Sequence, residues 1–69
     1  MFIMTQNSKN IVNSTFLAGF EAKGSQVLGV TTSGTGIILG TYENEERAID
    51  ILMDILVNID SLRYEMPYI

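Results

Sequence analysis

The sequence predicts an α+β domain: a small antiparallel sheet of about four strands in a meander, then one C-terminal helix and a short extended tail. Three observations carry this. Residues 1–42 hold short β-prone runs separated by turn residues. Residues 44–61 carry apolar residues at helical spacing behind an Asn-Glu-Glu start. Beyond them lies Arg63-Tyr64-Glu65-Met66, followed by Pro67. A chain of 69 residues is one small domain, residues 1–69, which buries only about 60% of its unfolded surface.

The elements follow in order. Phe2 to Thr5 is a short strand, and Asn7-Ser8-Lys9-Asn10 has turn composition. Ile11 to Glu21 reads as one long strand, with Gly19 marking a bulge or a close backbone approach. Lys23-Gly24-Ser25 closes a hairpin into Gln26 to Thr32. Ser33-Gly34-Thr35-Gly36 is the next turn. Ile37 to Tyr42 is apolar on both faces, which predicts a strand central in a sheet or lying under two layers. The helix begins with Asn44 as N-cap and Glu45 and Glu46 in its first turn, where acids suit the positive end of the dipole. It is expected to run to about Ser61. Arg63 to Met66 is then a final extended segment or a docked tail.

Composition removes several functions. There is no Cys and no His, so no thiolate is present, and neither the commonest general base nor the commonest metal ligand. No catalytic residue, metal or cofactor is expected, and the chain is not expected to be an enzyme. The net charge is -4, and residues 43–69 hold seven acids against Arg47 and Arg63. Such a chain is a poor duplex-binder, because duplex binding neutralises phosphates with Lys and Arg. No segment is apolar enough to span a membrane, since Asp50, Asp54 and Asn58 interrupt the run from Ala48 to Ile59. Met1-Phe2-Ile3-Met4 has no basic leader, so a cytoplasmic location is expected.

The helix is more apolar than one sheet requires. At a step of about 100° per residue, Ala48, Ile51, Leu52, Ile55, Ile59 and Leu62 form a sheet-facing stripe. Ile49, Met53 and Leu56 form a second face beside it, and Asp50, Asp54 and Asn58 hold the remaining arc. An apolar arc of about 200° is twice what one sheet covers. Ile49, Met53 and Leu56 are therefore expected to meet a second copy of the chain, in a homodimer or homotetramer.

The remaining groups with chemistry are few. Asp50 and Asp54, four apart, read as a solvated stripe. Ser33-Gly34-Thr35-Gly36 lacks the length and the Lys of a phosphate loop. Arg47 sits where the helix dipole disfavours a cation, which points either to an ion pair or to an anion site. Tyr42 reads as core, and Tyr64 equally as core or as a ring gripping a planar ligand or a partner.

Leu39-Gly40-Thr41-Tyr42, Glu46-Arg47-Ala48, the Ile/Leu helix and Tyr64-Glu65-Met66-Pro67 together resemble a family of short proteins of Firmicutes and their phages. Its members read "LGxYxxEERAxxVLxEI" and then "YxMP". Thr5-Gln6-Asn7 is similar to the family's "SQ(D/N)" opening, with Thr for Ser. The resemblance implies a small oligomeric counter-defence protein that sequesters a cyclic nucleotide or ADP-ribose-type immune signal without cleaving it, inside the infected cell. It implies a site at a subunit interface, with Arg47 and Arg63 on phosphates and Tyr64 or Tyr42 stacking a base. Thr31, Thr32 and Ser33 would donate hydrogen bonds there. The alternative is a small interaction protein that inhibits a host defence protein directly, through the second helix face. The chain is more acidic in its helix than the family pattern, so signal specificity does not carry over.

Overall fold

A computed structural model of the chain describes residues 1–68. The class is α+β, as expected, but the strands form two sheets of three rather than one of four. The elements are β1 (Phe2–Met4), β2 (Ile11–Asn13), a 3-10 turn (Ser14–Phe16), β3 (Leu17–Lys23), β4 (Gln26–Thr31), β5 (Gly36–Thr41), α1 (Glu45–Val57) and β6 (Arg63–Glu65). The first sheet has β1 in the middle, antiparallel to β2 and parallel to β6. The second is the meander β3-β4-β5. The helix packs on β3 and β4.

The expected strand from Ile11 to Glu21 is broken in two. Asn13 caps the intervening turn, its side chain accepting the Thr15 N–H at 3.0 Å. Asn, Ser and Thr offer the backbone local hydrogen bonds that compete with a ladder, so the chain leaves the first sheet here and enters the second. A bulge then falls between Leu17 and Gly19, as the glycine signalled. Gly24, at φ +58°, opens the two-residue turn between β3 and β4, a position that requires a left-handed residue.

β5 is an edge strand, not a central one. A bulge between Ile38 and Gly40 disturbs its alternation, so the neighbours Leu39 and Gly40 are both buried while Ile38 is exposed. Its free edge is clamped by Gln6: the Gln6 N–H donates to Leu39 O at 2.8 Å, and Gln6 Oε1 accepts the Thr41 N–H at 2.8 Å. An edge covered in this way does not need a further strand.

The helix starts where expected, with Asn44 Oδ1 accepting the Arg47 N–H at 2.8 Å, but it ends at Val57 rather than near Ser61. Asn58 stops it. Its amide Nδ2 donates to Asp54 O at 2.8 Å, and its N–H turns back to the last carbonyls. Ile59 and Leu62, placed by periodicity on the sheet-facing stripe, therefore lie past the helix and are exposed. Beyond them Arg63–Glu65 is strand β6, with Phe2 N–H on Leu62 O and Met66 N–H on Met4 O.

Both sheets and the helix share one core: Ile3, Val27, Leu39, Tyr42, Ala48, Ile51, Ile55, Tyr64 and Met66. Among the described residues no helix is long and apolar enough to cross a membrane.

Candidate functional site

The alternation of β1 turns Ile3 into the core and leaves Phe2 half exposed on the outer face, with Met4 on the same side. Pairing sets Phe2 opposite Arg63 on β6, and Met4 opposite both Glu65 on β6 and Ile11 on β2. Phe2, Met4, Ile11, Arg63, Tyr64 and Glu65 thus line a hollow of about 340 Å³ on this sheet. Its floor is apolar and mostly uncovered. Along β6 it presents one guanidinium and one carboxylate two residues apart. Such a surface suits a flat apolar body with an anionic group toward Arg63 and hydroxyl or amine donors toward Glu65.

The residues singled out from the sequence fall in several places. Arg63 and Tyr64 border this hollow. Arg47 borders another, with Glu43, Asn44, Glu46 and Asp50. An anion placed there meets three carboxylates, which repel it. Thr31 ends β4, and Thr32 and Ser33 begin the turn to β5. Thr31 Oγ1 lies 3.0 Å from Ser33 Oγ and accepts the Thr35 N–H at 3.1 Å.

Tyr42 and Tyr64 are buried, at 7% and 8% exposure, so in this chain neither ring offers an open face for stacking. Tyr42 donates its hydroxyl to Pro67 O at 2.9 Å. Burial pushes its pKa up, and Arg47 pulls it partly back. Tyr64 donates to Asp54 Oδ2 at 2.5 Å. Burial, this hydrogen bond and the charge of Asp54 hold its pKa well above the usual phenol range. Both hydroxyls are neutral donors near pH 7.

The motifs that carry the resemblance are tied to one another. Pro67 O accepts from Tyr42 Oη and, at 3.3 Å, from Gln6 Nε2, which also reaches Tyr68 O at 3.2 Å. Thr5 donates to Asn7 Oδ1 at 2.7 Å, and Asn7 Oδ1 accepts the Lys9 N–H at 2.9 Å. Gly40 has no Cβ, and one there would sit 2.8 Å from Tyr42 Oη. These residues lock the tail to both sheets. The hollow's apolar floor, Phe2, Met4 and Ile11, was not singled out from the sequence. The alternation of Phe2-Ile3-Met4 was a readable signal, and so were an extended start at Ile11 and an extended segment or tail at Arg63, but the pairing of both with β1 was not.

Ile49, Met53 and Leu56 are exposed at 44%, 55% and 61%. Met53 and Leu56 line a second, apolar groove with Phe20, Leu52, Ile55 and Ile59. Among the described residues no three Asp or Glu side chains gather in an arrangement that could hold a metal ion. No protein-family model matches this chain, and neither a curated protein nor a solved structure matches it.

Proposed function

We propose that this chain is a non-enzymatic phage counter-defence protein that sequesters a cyclic nucleotide or ADP-ribose-type signal in the cytoplasm of the infected cell, working as a homo-oligomer. The observation that supports this reading is the hollow on the outer face of the first sheet. It joins an exposed aromatic ring, Phe2, to a guanidinium, Arg63. A base rests on Phe2 and Ile11, a phosphate meets Arg63, and Glu65 accepts from ribose hydroxyls or an exocyclic amine. A volume of about 340 Å³ is at the small end for ligand sites, so one nucleotide unit fills it. In this reading the site is centred on the β6 side of the first sheet: Arg63 meets the ligand and Tyr64 contributes structure, while Tyr42, Arg47, Thr31, Thr32 and Ser33, named from the sequence, are given no part in it.

Titration calorimetry against cyclic dinucleotides, cyclic trinucleotides and cyclic ADP-ribose isomers tests this, with the ligand recovered and its mass checked. One of them is expected to bind and to return intact. Arg63→Ala is expected to weaken it by at least about 10-fold, while Arg47→Ala changes it by less than about 2-fold. Silence across the panel, cleavage of the ligand, or an Arg63→Ala variant with unchanged affinity overturns the reading. The alternative is a direct inhibitor of a host defence protein. The observation that favours it is the uncovered apolar face of α1, with Met53 at 55% and Leu56 at 61% exposure.

A further inference from the structure

We infer that the apolar face at the C-terminal half of α1 is the contact of a twofold homodimer, centred on Met53 and Leu56 and extending past the helix end to Ile59 and Leu62. The periodicity of the sequence places Ile49, Met53 and Leu56 here with Val57 beside them, exposed at 81%. Early termination of the helix at Val57 adds Ile59 and Leu62, exposed at 45% and 81%.

Three observations assign this face to a second copy. The first is area. At exposures of 44% to 81%, the six aliphatic side chains together offer on the order of 700 Å², close to the roughly 800 Å² per partner of a standard interface. The chain as a whole exposes 4619 Å², above the roughly 4,300 Å² expected of a folded monomer of this mass. The second is shape. Phe20, Leu52, Met53, Ile55, Leu56 and Ile59 line a groove of about 270 Å³, beside the ridge Ile49-Met53-Leu56. A groove whose walls carry exposed apolar side chains lets a second copy seat its own Met53 and Leu56 against it under a twofold axis, the geometry of an isologous contact. Met53, unbranched and adaptable, fills such a groove.

The third is charge. Every residue lining the groove is apolar, and Asp50 and Asp54 occupy another arc of the helix. Two copies of a chain of net charge -4 can meet over this groove without setting acid against acid at its centre. A basic partner would be recognised through the acid stripe instead. Asp60, exposed between Ile59 and Leu62, confines the centre of the contact to Met53 and Leu56. A face covered in this way no longer serves the alternative function above.

Sedimentation equilibrium of the unliganded chain between about 10 and 100 µM tests the dimer, and does so independently of ligand capture. The wild type is expected to have the mass of two copies. Leu56→Glu, and separately Met53→Lys, each place a charge in the contact and are expected to weaken association at least about 100-fold, with unchanged circular dichroism. Ile38→Glu, at a residue 55% exposed on β5, is expected to keep the mass of two. A wild type of single-chain mass across the range overturns the inference. So do folded Leu56→Glu or Met53→Lys variants that keep the wild-type mass, or dissociation by Ile38→Glu alone. If Leu56→Glu does not fold, Met53→Lys decides.

Discussion

Gly40 and Tyr42 form a unit that neither residue explains alone. The buried Tyr42 ring passes so close to Gly40 that an added Cβ would lie 2.8 Å from its Oη and 3.0 Å from Cε2. The ring has little freedom to yield, because it is packed in the core and its hydroxyl is bound to Pro67 O. Gly40→Ala is therefore expected to cost about 2 kcal/mol in urea unfolding, through overpacking and loss of that hydrogen bond. Tyr42→Phe alone is expected to cost about 1 kcal/mol. In the Tyr42→Phe background Gly40→Ala costs less, because the nearest clashing atom is gone. Additive losses would show that the two positions act separately. The pattern Leu-Gly-Thr-Tyr was visible in the sequence, but its meaning was not. That a strand-end tyrosine folds back over a glycine two residues earlier depends on where the tail carbonyl lies.

Between elements, Tyr64 ties β6 to α1 through Asp54. Its raised pKa has a definite consequence for stability. The folded chain holds Tyr64 neutral at a pH where the unfolded chain, with a phenol near the usual value of about 10, ionises. The stability from this group is fully present below about pH 10 and is lost as pH rises from there toward the folded pKa. Tyr42, also raised, acts in the same direction. Urea midpoints are expected to be flat with respect to these groups up to about pH 9 and to fall above pH 10. Tyr64→Phe makes that fall shallower and costs about 1 kcal/mol at pH 7. An equally steep fall in the variant would assign the alkaline loss elsewhere. The sequence announced the helix clearly at its start, because an N-cap is a local matter of Asn44 and its next turn. It was silent on the end, because Asn58 interrupts a run whose apolar periodicity continues through Ile59 and Leu62. The same limit hid the break after Asn13. Alternation shows which face a residue takes, not which sheet it joins. The hollow was missed for this reason, since it needs β1 between β2 and β6, and β6 comes from the far end of the chain.

For the whole molecule, Gln6 is the joint between the halves. One side chain accepts from β5 at Thr41 and donates to Pro67 and Tyr68 in the tail. It does so from the segment that leaves β1, so both sheets and the tail converge on it. A small core gains from such a staple, because each hydrogen bond is weak but the three segments are held by one ordered side chain. Thr5-Gln6-Asn7 and Tyr64 to Pro67 thus serve the folding of the chain, while the proposed ligand and dimer surfaces lie on Phe2, Arg63, Met53 and Leu56. Gln6→Ala is expected to lower stability by about 2 kcal/mol. Its more specific mark is in hydrogen exchange. The Thr41 amide loses its acceptor and exchanges at least about 10-fold faster, together with amides of the tail, while amides of the β3–β4 hairpin follow only the global change. A uniform acceleration would mean that Gln6 merely adds stability. Acceleration confined to Thr41 and the tail would show that it holds the two sheets and the chain end in register.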